Sequence, residues 1–190
     1  KSPAVARVAP FFIFVLLTCL QGYAGDAGQY WIYFAKMIVG AWLIWMARPL
    51  IAEMRWAFSW EAVAIGIAVF AVWVGLDNHY YHWAKDSAKA AKEHWEPFAQ
   101  FGNGSALAWF FIAVRILGTA LVVPPIEEVF YRSYFYRMIV AADFQKIPLG
   151  YFGWMPFLVT SVIFGLVHPN QWLAGILCGM AYQWLVIRKG

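Results

Sequence analysis

The sequence has few charged residues and almost no cysteine, and both shortages limit what the protein can be. Of its 190 residues only 13% are charged, against about 25% in an average soluble domain. The two cysteines, Cys19 and Cys178, lie in apolar runs and form no CxxC or Cys/His pattern, so we expect buried thiols rather than a zinc module. HExxH is absent, which excludes the zincin pattern, and no basic patch interleaved with aromatic residues indicates a nucleic-acid partner.

Apolar and aromatic residues dominate what is present. Hydrophobic residues make up 63% of the chain and aromatic residues 20%, and the mean hydropathy is +0.61. The twelve tryptophans and ten tyrosines suit the belts where aromatic rings meet lipid headgroups. These values predict an all-α, polytopic transmembrane helical bundle in contact with membrane lipids.

Seven apolar segments are candidates for helices, since a spanning helix needs about 20 apolar residues. Lys36 lies inside the second segment and is long enough to extend its ammonium group towards the interface, and Arg115 lies near the middle of the fourth. The segments cover, approximately, residues 8–24, 29–51, 60–76, 106–123, 125–142, 154–168 and 171–187.

The only long polar stretch is 77–105, which divides the chain into N-terminal helices (1–105) and a second region (106–190). Its composition predicts a short amphipathic helix on or outside the membrane. Asp77, His79 and His82 raise the alternative of a metal site, but their short, aromatic-rich spacing favours a solvated interfacial loop.

Two adjacent glutamates and an arginine lie in this otherwise apolar second region. Ionisable groups are expensive in a bilayer, so Glu127, Glu128 and Arg132 are functional candidates. Pro124 and Pro125 precede the pair, which predicts that the glutamates occupy the first turn of a new helix, where the helix dipole stabilises carboxylates. Glu128 and Arg132, four residues apart, suit an ion pair. Glu127 is turned away by about 100° and is left for a substrate or a water.

A histidine ends the next apolar segment. Phe164 and His168 are four residues apart, and Pro169 predicts that the helix ends near His168. If the fifth and sixth segments are antiparallel, the glutamates and His168 lie at one depth. A carboxylate facing an imidazole in a partly dry site suits activation of a water. The alternative is a structural ion pair and an interfacial cap, which the weak stabilisation by buried ion pairs makes less attractive for the whole set.

The spacing Glu127-Glu128-x-x-x-Arg132 followed by Phe164-x-x-x-His168 resembles the CPBP family of intramembrane proteases. This family includes the CAAX prenyl endopeptidases and the bacterial bacteriocin-processing and immunity (Abi) proteins. The resemblance covers approximately residues 106–190. Gly175 and Gly179 look like part of the helix that follows FxxxH, since small residues at this spacing allow close packing in lipid.

The resemblance implies roles for each residue. Glu127 would activate the water, Glu128 and Arg132 would orient the site, and His168 would make a second contact to the water or a metal. A Zn²⁺ or another divalent ion would be held by Glu127 and His168, although a metal-free glutamate mechanism suits these residues equally. We further expect aromatic side chains to line a substrate groove: Phe130, Tyr131, Tyr134 and Phe164.

The family has a later motif, a His followed by Asn or Asp on one further helix, which this sequence does not contain. We therefore expect the core 106–190 to be C-terminally incomplete and the 190-residue fragment to be inactive.

Three functions are compatible with these residues. The first is an endopeptidase of the bacterial inner membrane that cuts a membrane-associated or lipidated peptide, CAAX-like or sorted, through a Glu-activated water. The second, motivated by the missing motif, is a non-catalytic peptide-binding, immunity or scaffold protein. The third is a small transporter with a carboxylate relay, which the lack of paired broken helices makes least attractive.

Overall fold

The computed structural model describes residues 2–54, 58–76 and 95–189, and all regular structure in these ranges is helical, as predicted. The amphipathic helix expected before residue 95, with Asp77, His79 and His82, lies outside the described residues. In chain order the α-helices are α1 (Pro3–Gln21), α2 (Gly25–Ala47), α3 (Trp60–Leu76), α4 (Pro97–Phe101), α5 (Ala106–Leu117), α6 (Val123–Glu128), α7 (Tyr136–Val140), α8 (Trp154–Leu166) and α9 (Trp172–Lys189).

Several helices are long and apolar enough to cross a membrane. Among the described residues these are Pro3–Gln21, Gly25–Leu50 and Ala106–Val140. The pair Trp154–Leu166 and Pro169–Lys189, bent by 110°, makes a fourth if it counts as one broken span. Many large apolar side chains are exposed on these helices, as they are where hydrocarbon is the solvent. The chain is a multi-pass integral membrane protein.

The expectation for the two thiols is half right. Neither cysteine forms a disulfide within the described residues; Cys178 is buried, but Cys19 is exposed. α1 is apolar over most of its circumference and presents large apolar side chains outward. A thiol on that face contacts lipid hydrocarbon, so it does not have to be buried by other residues to avoid water.

The predicted boundary between the fourth and fifth segments is wrong, because α5, α6 and α7 are parts of one continuous helical stretch, Ala106–Val140. Two parts of it are π-helical, Gly118–Val122 and Val129–Phe135. At the end of Gly118–Val122, the Val123 N–H donates a hydrogen bond to the carbonyl oxygen of Gly118, five residues earlier. This wider turn lets the helix continue through Pro124 and Pro125, which lack N–H donors.

The chain divides into two compact units. Within the described residues the first unit comprises 2–54 and 95–130. Its α1 and α2 form a hairpin closed by an ion pair between Arg7 Nη2 and Glu53 Oε1, 2.7 Å apart. The Phe11 ring stacks on Phe130 with 3.9 Å between centroids, which joins α1 to the end of this unit.

The second unit comprises 58–76 and 131–189, and its core is the close pairing of α8 with α9. A Cβ on Gly175 would lie 2.9 Å from Gly165 Cα, and one on Gly179 would lie 3.0 Å from Ser161 Cα. The close packing predicted for these two glycines is therefore confirmed. α3 runs antiparallel to α9, with Glu61 at its start beside Arg188 and Lys189.

Candidate active site

The two glutamates end α6 in the first unit, and both are half-buried. Their neighbours Ile126 and Val129 are buried, and Val129 packs in an apolar core cluster with Ala47 and Ile51. The carboxylates are thus carried by a helical segment whose apolar side chains belong to the core of the first unit.

The structure corrects one helix-based expectation for the glutamates. No new helix begins at Pro124, so stabilisation of Glu127 and Glu128 by a helix N-terminus is not available. The backbone is π-helical from Val129 to Phe135. The pairing of Glu128 with Arg132, and with it the division of roles between the two glutamates, stays a prediction.

Arg132, in the second unit, is buried among aromatic rings, with only 3% of its surface exposed. Its guanidinium carbon lies 4.6 Å from the centre of the Phe164 ring, 5.7 Å from that of Tyr131 and 5.9 Å from that of Tyr182. Aromatic faces attract a guanidinium most strongly where water is excluded. Phe164, the first residue of FxxxH, therefore helps to fix the arginine of EExxxR.

The same phenylalanine also fixes His168, through its backbone. His168 Nδ1 lies 2.8 Å from the Phe164 carbonyl oxygen. A carbonyl only accepts, so Nδ1 carries the hydrogen, and the neutral ring presents a lone pair at Nε2. The four-residue spacing of FxxxH is what this side-chain to backbone bond requires, because Val167 and His168 fold back on the last turn of α8.

Sequence reasoning missed Trp73, a neighbour of His168, and the hydrogen-bond partner of Trp73, Gln171. The Trp73 ring meets the imidazole edge to face, with 5.5 Å between centroids. Its indole N–H also donates a hydrogen bond to the side-chain oxygen of Gln171. Trp73 is one of twelve tryptophans and lies far from His168 in sequence, so no local pattern marked it.

The aromatic residues predicted to line a substrate groove are mostly packed inside the protein. Phe130 and Tyr131 are buried, and Phe164 is covered by Tyr131 at 5.1 Å between ring centroids. Tyr134 is half-buried against Phe144. Their role as a substrate groove stays a prediction.

The second unit brings together Arg132, Phe164 and His168, whereas Glu127 and Glu128 belong to the first unit. The convergence of the glutamates with His168 stays a prediction from the sequence. Among the described residues no three His, Cys, Asp or Glu side chains form a group that could hold a metal ion. Metal binding by Glu127 and His168 likewise stays a prediction.

Comparison with known proteins identifies the domain that carries these motifs. Residues 108–190 match the family described as type II CAAX prenyl endopeptidase Rce1-like. No curated protein and no solved structure matches the chain. The matched range includes both glutamates, Arg132 and the Phe164–His168 pair. Residues 108–190 therefore form a domain of the Rce1-like, type II CAAX prenyl endopeptidase family, in agreement with the CPBP protease motifs of the sequence.

Proposed function

We propose that this protein is an intramembrane endopeptidase that hydrolyses a peptide bond of a membrane-associated or lipidated peptide through a Glu-activated water. The observation that best supports this is the dual contact of Phe164, whose ring covers Arg132 and whose carbonyl accepts from His168. One residue thus links the two motifs physically. The Rce1-like match of residues 108–190 supports a protease of this type.

In this mechanism Glu127 is the general base. Its carboxylate takes a proton from a water, and the water oxygen attacks the carbonyl carbon of the scissile peptide. The C–N bond then breaks, and Glu127 returns the proton to the leaving amine. A positioned carboxylate of this kind contributes typically about 10²–10⁴-fold to the rate.

His168 acts in this proposal as an acceptor that orients the water. With its Nδ1 hydrogen engaged by Phe164, the neutral ring has no second N–H with which to stabilise an oxyanion. Its Nε2 lone pair can accept a hydrogen bond from the water and so direct the oxygen at the substrate. Arg132, fixed by its aromatic neighbours, would orient Glu128 beside the base.

The same residues fit a divalent metal in one respect. An imidazole whose other nitrogen donates to a backbone carbonyl is the usual arrangement of a metal-ligating histidine. Glu127 and His168 would hold the ion, which would make its bound water more acidic. Loss of cleavage with a chelator, and its recovery with Zn²⁺, would distinguish this form from the metal-free one.

The substrate class follows from the location of the glutamates. Both lie in Ala106–Val140, a helical stretch long and apolar enough to cross a membrane. A peptide delivered from the membrane, with an apolar or lipidated segment next to the cut bond, suits this location. CAAX-like and sorted peptides both belong to this class.

Cleavage by the full protein in proteoliposomes tests the proposal. We expect Glu127→Ala to reduce cleavage of a candidate lipidated peptide by about 10² or more. Asp143→Ala removes an exposed carboxylate and serves as the control. Undiminished cleavage by Glu127→Ala would overturn the assignment. If the native protein binds the peptide without cutting it, and Phe130→Ala or Tyr134→Ala abolishes binding, the non-catalytic alternative is correct.

A further inference from the structure

We propose that the first unit carries an anion site, apart from the candidate catalytic residues, that binds a phosphate group. The site is formed by Lys36 of α2, Arg115 of α5 and the aromatic residues between them. Arg115 precedes Glu127 by twelve residues, which corresponds to about 18 Å along the helical stretch they share.

Two cations share one aromatic ring in this unit. Lys36 Nζ lies 4.8 Å from the centre of the Tyr33 ring, and Arg115 Cζ lies 6.0 Å from it. Lys36 is only 5% exposed, whereas Arg115 is exposed. The pair therefore consists of a buried cation and a cation at the surface, with Tyr33 between them.

Two further hydrogen-bond donors around the pair have no acceptor among the residues that the structure describes. Tyr33 is 7% exposed, and its hydroxyl makes no hydrogen bond within the described part of the chain. The same holds for the indole N–H of Trp95, whose ring lies 5.0 Å from Tyr33 and under the guanidinium of Arg115, 4.7 Å away. Buried donors are normally paired, so these two point to an absent acceptor.

The hydrogen bonds of Lys36 go to neutral partners. Its ammonium group donates to Thr18 Oγ1 at 3.2 Å and to Gln21 Oε1 at 2.9 Å, which leaves one of its three N–H groups. Within residues 2–54, 58–76 and 95–189, neither Lys36 nor Arg115 forms an ion pair with a carboxylate. No direct ion pair within these ranges therefore balances the two cations, and the nearest acidic side chain along the chain from Trp95 is Glu96, which acts on the adjoining Tyr30.

Aromatic faces alone compensate poorly for this arrangement. A charged side chain inside a membrane is costly, and a cation–π contact returns only part of that cost. Two like charges near one ring also repel each other. A bound anion would reduce the repulsion between the two cations. It would also accept hydrogen bonds from the Tyr33 hydroxyl and the Trp95 indole N–H.

The position of the cluster indicates how an anion reaches it. α2 and α5 run parallel, since Tyr30 meets Phe111 and Gly40 meets Val122 further along. Lys36 turns back towards the start of α2, because its partner Gln21 ends α1.

Exposed tryptophans mark the membrane interface at this end of the unit. Trp31 and Trp109 stand near the starts of α2 and α5, and each is at least half exposed. Such rings lie at headgroup depth, so Arg115 lies about 9 Å deeper than Trp109 along α5. A long arginine side chain bridges most of that distance towards the lipid phosphates.

Binding of phosphate ligands to the purified protein tests the proposal. Native mass spectrometry from detergent micelles would measure affinity for phosphatidylglycerol and phosphatidylcholine, and thermal unfolding would measure stabilisation by inorganic phosphate. Arg115→Gln removes the exposed cation, and Lys36→Met removes the buried one at similar volume. Arg48→Gln is the matched control, because Arg48 is an exposed arginine at the other end of α2.

We expect saturable one-to-one binding that Arg115→Gln weakens about tenfold, the worth of one charge-assisted hydrogen bond, while Arg48→Gln leaves affinity within about twofold. Binding of the lipids alone identifies a headgroup as the ligand; stabilisation by inorganic phosphate as well identifies the phosphate group itself. Absence of saturable binding, or equal effects of Arg115→Gln and Arg48→Gln, would overturn the site. If Lys36→Met does not fold, the comparison of the two arginine variants decides.

Discussion

His168 donates a hydrogen bond from Nδ1 to the main-chain carbonyl of Phe164, 2.8 Å away, while the Phe164 ring lies 4.6 Å from the guanidinium carbon of Arg132. One aromatic residue thereby sets the tautomer of a histidine through its backbone and the position of an arginine through its side chain. The pairing explains why a phenylalanine, and not any apolar residue, suits the first position of FxxxH.

Replacement of Phe164 by leucine tests this double role. Phe164→Leu keeps the carbonyl that accepts from His168 but removes the ring beside Arg132. We expect destabilisation of about 1–2 kcal/mol, from the lost cation–π contact and the change of shape, together with reduced cleavage. Phe152→Leu, at an exposed phenylalanine of the same unit, should change neither quantity. Equal effects of the two variants on SDS-induced unfolding would contradict the role of the ring.

The α8–α9 seam gives a prediction with an internal control. Gly179→Ala would place a methyl group 3.0 Å from Ser161 Cα, so the helices must separate, and we expect a loss of about 1–3 kcal/mol. A methyl group on Gly66 in α3 would meet no other atom within 4 Å in the described part of the chain, so Gly66→Ala should be neutral or stabilising by up to about 1 kcal/mol. Thermal unfolding midpoints of both variants in micelles test this prediction. A stabilised Gly179→Ala variant would show that the α8–α9 interface can accommodate an added methyl group.

The Arg7–Glu53 pair contributes to stability because it is largely buried. Breaking a largely buried pair by removing one partner is strongly destabilising, so Arg7→Met should cost about 3–5 kcal/mol. Lys146→Gln breaks the exposed Lys146–Asp143 pair and should leave unfolding unchanged within error. A similar small effect for both variants would show that the solvent or lipid around Arg7 screens its charge.

We predict that Trp73 acts on His168 as a positioning residue. Trp73→Phe keeps an aromatic edge near the imidazole but removes the N–H that donates to Gln171. We expect stability to fall by about 0.5–1.5 kcal/mol and kcat to fall more than the affinity for substrate changes. Trp154→Phe, at a tryptophan that is 70% exposed, is the control. A purely structural Trp73 would lower the unfolding midpoint and leave kcat of the folded enzyme intact.

The sequence predicted the helices, the glycine seam and the end of α8 near Pro169, because each depends on local composition and short spacing. It also predicted the antiparallel pairing that the structure shows between Tyr131 and Phe164 at one end and between Tyr136 and Gly153 at the other. These features need no information from distant parts of the chain.

Other features had no signal in the sequence. A Pro124-Pro125 step normally starts or ends a helix, whereas here a π-helical turn precedes the two prolines and the helix continues. The contacts of Trp73 with His168 and Gln171 join residues almost one hundred positions apart. The cation pair of the proposed anion site could not be predicted from the sequence either. Lys36 and Arg115 approach the same Tyr33 ring through the packing of α2 against α5, and no sequence motif links them.

The most direct test of the catalytic assignment compares Glu127→Gln with Glu128→Gln in the full protein, with cleavage rate and peptide binding measured separately in proteoliposomes. We predict that Glu127→Gln lowers kcat by about 10² or more while binding stays within about twofold. We predict a smaller loss for Glu128→Gln, which acts through orientation. Near-native cleavage by Glu127→Gln, or a loss confined to binding, would contradict the assignment of Glu127 as the base.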